Sequence, residues 1–170
     1  MPTTKAKLTK EQIETKIKSA QERVKSREET REAARNFKKR RIQAVNAKLE
    51  ELDVSMMYFK RIVDTRIIAA GIRLKKLSLS QQYSIDVVFT ACSPKDRFSK
   101  AEARKIILER ADLSFNQMQP NKWCISTMVP MQDLESLKGL SRFIFEMIRF
   151  KVNSNKSAYP KHVIKLLNSY

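Results

Sequence analysis

At 170 residues, 42% of them apolar, the chain has room for one compact domain, or for one domain plus an extension. Thirty-five basic residues stand against 18 acidic ones, a net charge of +17, and that balance favours a polyanionic partner, nucleic acid first. Two glycines, Gly71 and Gly139, exclude a glycine-rich phosphate loop, and the lack of any run of about 18 apolar residues argues against a membrane partner.

The first seven residues read as a loose basic tail without an apolar signal core, so a cytoplasmic location is expected. Thr9-Lys10-Glu11-Gln12 then has the form of a capping box, and neither proline nor glycine follows before Gly71. A helix is expected from about Glu11 to Leu52. Its apolar content is thin. Ile13, Ile17, Ala20 and Val24 follow a 4-3-4 spacing, but the same register then meets Arg27, Arg31 and Lys38. Such a helix projects, packs lightly or orders on binding.

Within it lies Arg35-Asn36-Phe37-Lys38-Lys39-Arg40-Arg41. Four consecutive cations go right round a helix, so one side can follow phosphates whichever way the helix docks. Lys25, Arg27, Arg31, Arg35, Lys38, Lys39, Arg40 and Arg41 are therefore the candidate nucleic-acid contacts. No leucine heptads follow, which sets the segment apart from the basic region of a zipper protein. The competing reading is a solvated charged helix.

Asp53 or Ser55 is a candidate cap for a second helix. Phe59, Ile62, Val63, Ile67, Ala70, Leu74 and Leu77 recur at helical spacing and predict a core helix over about 55–77. Tyr83, Ile85, Val87, Phe89 and Ala91 fall at period two and predict a strand ended by Pro94. Ser99-Lys100-Ala101-Glu102 is a capping box opening a helix whose apolar face is Ala103, Ile106, Ile107 and Ala111. The free N–H groups at its start, flanked by Lys95, Arg97, Ser99 and Lys100, form a second candidate phosphate contact. Residues 122–129 predict another strand. Leu134 to Phe150 predicts a largely buried helix beginning near Asp133, and Pro160 opens a short closing helix with Val163, Ile164 and Leu167.

The expected fold is α+β and mainly helical: a long basic N-terminal helical region, residues 1–52, followed by a helix-covered domain, residues 53–170, with a strand–helix–strand unit. That unit implies a small parallel or mixed sheet. Since two strands are few, a third is expected from a loop segment or from another subunit, which leaves homo-oligomerisation open. Residues from about Ser55 to Tyr170 are expected to fold alone.

No catalytic constellation is present, so the chain reads as a non-enzyme without cofactor or metal. His162 is the sole histidine, and with Cys92 and Cys124 it lacks zinc spacing. The cysteines are too few for a disulfide framework and read as buried thiols. Asp86, Asp96, Glu102 and Glu109 make a poor metal set, because Glu102 serves the cap and Glu109 lies two turns on.

The segment Phe89-Thr90-Ala91-Cys92-Ser93-Pro94-Lys95-Asp96-Arg97-Phe98-Ser99-Lys100, followed by Arg104 and Ile106, resembles a motif in small uncharacterised proteins of tailed bacteriophages. It covers about 20 of the 170 residues, and Ala103 stands where those proteins often carry glycine. The resemblance implies a phage origin, and hence the host cytoplasm. It supplies neither an activity nor site residues. The expected function is a nucleic-acid-binding accessory protein contacting phosphates largely without sequence preference. The alternative is a factor that docks on a host or phage protein through the same helix.

Overall fold

The first helix, α1, spans Lys10–Glu51, a stretch rich in alanine, glutamate, lysine and arginine. Its end is explicit. Asp53 adopts the left-handed conformation with φ 55. Its N–H reaches Glu50 O at 2.9 Å, and Val54 N–H reaches Leu49 O at 2.8 Å. These two bonds satisfy the last carbonyls of the helix, and Leu49 and Val54 pack in the same cluster, as such a terminus favours. Asp53 thus closes α1 rather than capping a following helix. The computed structural model describes residues 10–60, 67–77, 82–93, 98–130 and 137–169. The expected tail, the Thr9 cap and the onset near Asp133 lie outside them.

Four strands follow: β1 (Ser55–Lys60), β2 (Ile67–Leu77), β3 (Gln82–Ala91) and β4 (Cys124–Pro130). They form one sheet in the order β1-β2-β3-β4, every neighbouring pair antiparallel. Helix α2 (Lys100–Ala111), continued by a π-helical turn over Asp112–Asn116, lies between β3 and β4 in sequence. Helices α3 (Leu137–Ser154) and α4 (Lys161–Asn168) close the chain, joined by a 3-10 turn over Lys156–Ala158.

Both faces of the sheet are covered. Phe59, Ala70, Ile72, Ile85, Val87, Phe89 and Val129 share one cluster with Ile144, Ile148 and Val152 of α3 and with Val163, Leu166 and Leu167 of α4. On the other face Val88 packs with Leu49, Val54, Ile107, Ala111 and Phe115. A β-carbon at Gly71 would lie 2.3 Å from Ile107 Cγ2 and 2.8 Å from Val54 Cγ1. Glycine there lets α2 approach the sheet closely.

The helix expected over 55–77 is instead β1 and β2. Residues Ile68 to Ile72 are buried without interruption, because β2 lies inside a sheet covered on both faces. A strand whose two faces both carry apolar residues or glycine, as Ile67–Ile72 does, loses its period-two signature, and its apolar run also satisfies a helical template. This segment, and neither a loop nor another subunit, supplies the third strand that was expected, together with a fourth. The parallel or mixed sheet is likewise corrected to an antiparallel meander. The chain re-enters the sheet at the end where β3 leaves it, with Phe89 N–H donating to Trp123 O at 3.0 Å, so β4 runs against β3. The α+β class and the long N-terminal helix are as expected.

The chain divides into two units, residues 1–43 and 44–170. In the second, Arg104 Nη1 donates to Asn46 Oδ1 at 3.1 Å, tying the last turns of α1 to α2. Among the described residues no helix is long and apolar enough to cross a membrane.

Candidate nucleic-acid interface

From Ala33 to Leu49 α1 carries Arg35, Lys38, Lys39, Arg40, Arg41 and Lys48 and no acidic residue. Every described side chain from Glu14 to Arg41 is exposed. At about 100° per residue, Arg27, Arg31, Arg35 and Lys38 fall within a sector of about 80°, one ridge rising about 6 Å every four residues. Lys39, Arg40 and Arg41 spread round the rest of the circumference. Arg41 places its guanidinium 5.9 Å from the centroid of the Phe37 ring, which is itself 65% exposed. Lys25, Arg27 and Arg31 are exposed too, but Glu22, Glu28, Glu29 and Glu32 lie among them. The field is strongest from Arg35 to Arg41, where nothing acidic dilutes it.

The second candidate contact lies at the start of α2. Ser99 Oγ accepts from Glu102 N at 3.3 Å, the forward half of the capping box. Lys100 lies with its ammonium 5.4 Å from the centroid of the Tyr58 ring, and Phe98 meets the same ring edge-on at 5.9 Å. Lys95 and Arg97, with Asp96, lie outside the described residues.

Two polar arrangements escaped the sequence reading because they depend on register. The first crosses β2, β3 and β4, where Arg73, Asp86 and Ser126 are directly paired neighbours. Arg73 donates from Nε at 3.1 Å and from Nη2 at 2.8 Å to Asp86 Oδ2, and Ser126 Oγ donates to Oδ1 at 2.6 Å. Arg73 also lies 4.0 Å from the Phe115 ring centroid. With side-chain exposures of 14% and 12%, the ion pair is well shielded. Asp86 is therefore committed to partners within the sheet.

The second arrangement surrounds Arg110. Its guanidinium lies 4.2 Å from the centroid of the Trp123 ring and donates to Phe89 O, one residue past the last register pair of β3 with β4, Val88 with Cys124. Trp123 meets Phe89 and Tyr159 edge-on, at 5.3 and 5.2 Å. Burial lowers the Arg110 pKa to about 10, partly opposed by neighbouring Glu109. Arg110 thus takes up the Phe89 carbonyl at the end of the β3–β4 ladder while its cation lies on an aromatic face. A cleft of about 300 Å³ lies beside it, bordered by Cys92, Phe98, Ile106, Trp123 and His162.

Among the described residues no three His, Cys, Asp or Glu side chains come together to hold a metal. Cys92 and Cys124 are half-buried rather than buried as expected, and burial raises the Cys124 thiol above its ordinary range, which disfavours a nucleophile. Comparison with family models, with curated proteins and with solved structures finds no match.

Proposed function

We propose that the protein is a non-catalytic nucleic-acid-binding accessory factor whose main contact is the basic segment of α1, with the phage-like motif around Phe89–Lys100 pointing to a phage origin. The observation that carries this reading is the acid-free stretch from Ala33 to Leu49, with Arg35, Lys38, Lys39, Arg40 and Arg41 exposed on a helix. Cations on a helix neutralise phosphates and release counterions, a source of affinity that needs no base contact. Phe37 is the one aromatic residue within the cluster, so base stacking adds little and sequence preference is low. Lys100 at the start of α2 is the secondary contact in this reading.

The test is fluorescence anisotropy with labelled duplex DNA, single-stranded DNA and RNA at low salt, for the wild type and a variant with Lys38, Lys39, Arg40 and Arg41 changed to alanine. The wild type is expected to bind, and the variant to bind at least about tenfold more weakly, the four cations being worth about 1.4 kcal/mol or more. Equal binding by the two proteins rejects the site. Absence of binding to any of the three ligands rejects the function and favours docking of the helix on a protein.

A further inference from the structure

The N-terminal half of α1 carries an apolar stripe that neither the fold nor the basic segment uses. Ile17 and Val24 are 50% and 54% exposed, and with Ala20 they line one shallow groove bounded by Gln21 and Glu28. Their spacing is that of a heptad seam. With Ile17 and Val24 at a positions, Ala20 falls at d, and Ile13 occupies the preceding d position in the sequence. Arg27 and Arg31 fall at the next d and a positions and end the apolar seam.

We infer that this stripe pairs with the same stripe of a second copy of the chain, in a short parallel, in-register coiled coil over about Ile13–Glu28. The flanking charges identify the occupant. β-branched Ile17 and Val24 at a suit a parallel seam, while d holds Ala20 and Ile13 in place of the leucine that fixes two strands, so the e and g positions carry the choice of partner. In that pairing, position g of one helix faces position e of the next heptad on its partner. Arg23 at g therefore meets Glu28 at e of the other copy, twice by symmetry. An antiparallel arrangement sets g against g and e against e, so it brings Lys16 against Arg23 or Glu14 against Glu28 according to the layer chosen. The flanking charges thus select both the partner and its direction. Arg27 and Arg31 would then face their own copies, so the two helices separate at the point where the basic segment begins. The pairing does not depend on the nucleic-acid reading, and it is tested without nucleic acid.

The experiment uses full-length, nuclease-treated protein. Parallel in-register pairing places residue 24 against itself, whereas Glu22 at f points away. Under mild oxidation Val24→Cys is expected to give several-fold more disulfide-linked dimer than Glu22→Cys or the parent chain with its native thiols. In sedimentation, Arg23→Glu is expected to lower the dimer fraction and Arg23→Glu with Glu28→Arg to restore it. A cross-link yield for Val24→Cys no higher than for Glu22→Cys overturns the proposal. So does a protein that stays monomeric up to about 1 mM, where even weak association of about 4 kcal/mol shows. A dimer indifferent to both charge variants overturns the parallel register.

Discussion

Single residues show how tightly this sheet is pressed between its helices. Gly71→Ala would drive a methyl into Ile107 Cγ2 and Val54 Cγ1, at 2.3 and 2.8 Å, and both neighbours are themselves packed in the core. Such overpacking is expected to cost about 1–3 kcal/mol, read as a lowered urea midpoint with unchanged slope. Asp86 poses the opposite problem, because removing it strands a shielded cation. Asp86→Ala is expected to cost about 3 kcal/mol and Ser126→Ala about 1 kcal/mol, since the serine removes one hydrogen bond and leaves the ion pair in place. Equal costs in chemical denaturation would mean that Arg73 finds water when its partner leaves. Cys124 and Tyr159 set a pH dependence. Burial raises both above ordinary values of 9.0 and 10.0. The folded chain therefore holds protons that the unfolded chain releases, so the contribution of these two groups to stability is complete below pH about 9 and falls as pH rises beyond it. Cys124→Ala is expected to flatten the first part of that fall, between pH 9 and 10, in thermal melts.

At the scale of elements, legibility followed the residue pattern: β3 is buried without interruption from Ile85 to Thr90, yet polar Asp86 and Thr90 keep its period visible. β3 and β4 were readable because Tyr83–Ala91 alternates and prolines or polar residues bound both segments. The helix α2 was readable from Ser99 and Glu102, and α4 from Pro160. The segment 55–77 was misread because both faces of β2 carry apolar residues or glycine, so its Ile-Ile-Ala-Ala-Gly-Ile run has no period of its own. The site divides the same way. The basic segment Arg35–Arg41 is contiguous and visible in one dimension, whereas Arg73–Asp86–Ser126 and Arg110–Trp123 exist only once the strands are in register. The end of α1 also bears on where a self-sufficient fragment begins. Leu49 and Val54 are 3% and 7% exposed and belong to the cluster beneath α2. A fragment of residues 44–170 is expected to unfold cooperatively. A fragment of residues 55–170 lacks both side chains and is expected to be less stable by about 3–6 kcal/mol. Equal stability of the two in urea titrations would show that the last turns of α1 contribute nothing to the core.

Across the whole molecule the excess of +17 makes non-specific attraction to any polyanion unavoidable, so bare affinity discriminates little. What distinguishes a site on α1 from diffuse attraction is how many counterions its removal leaves in place. About six phosphate contacts give a slope of log K against log salt near −5, a loss of roughly a thousandfold between 50 and 200 mM. Lys38 to Arg41 surround the helix, so only about half of them reach one duplex at a time. Measuring duplex affinity across that salt range for the wild type and the Lys38–Arg41 alanine variant is the most direct test. The expected result is a slope shallower by about 2 in the variant, with the circular dichroism spectrum unchanged. A variant that binds with the wild-type slope would place the phosphates elsewhere on the protein and contradict the assignment of α1 as the nucleic-acid interface.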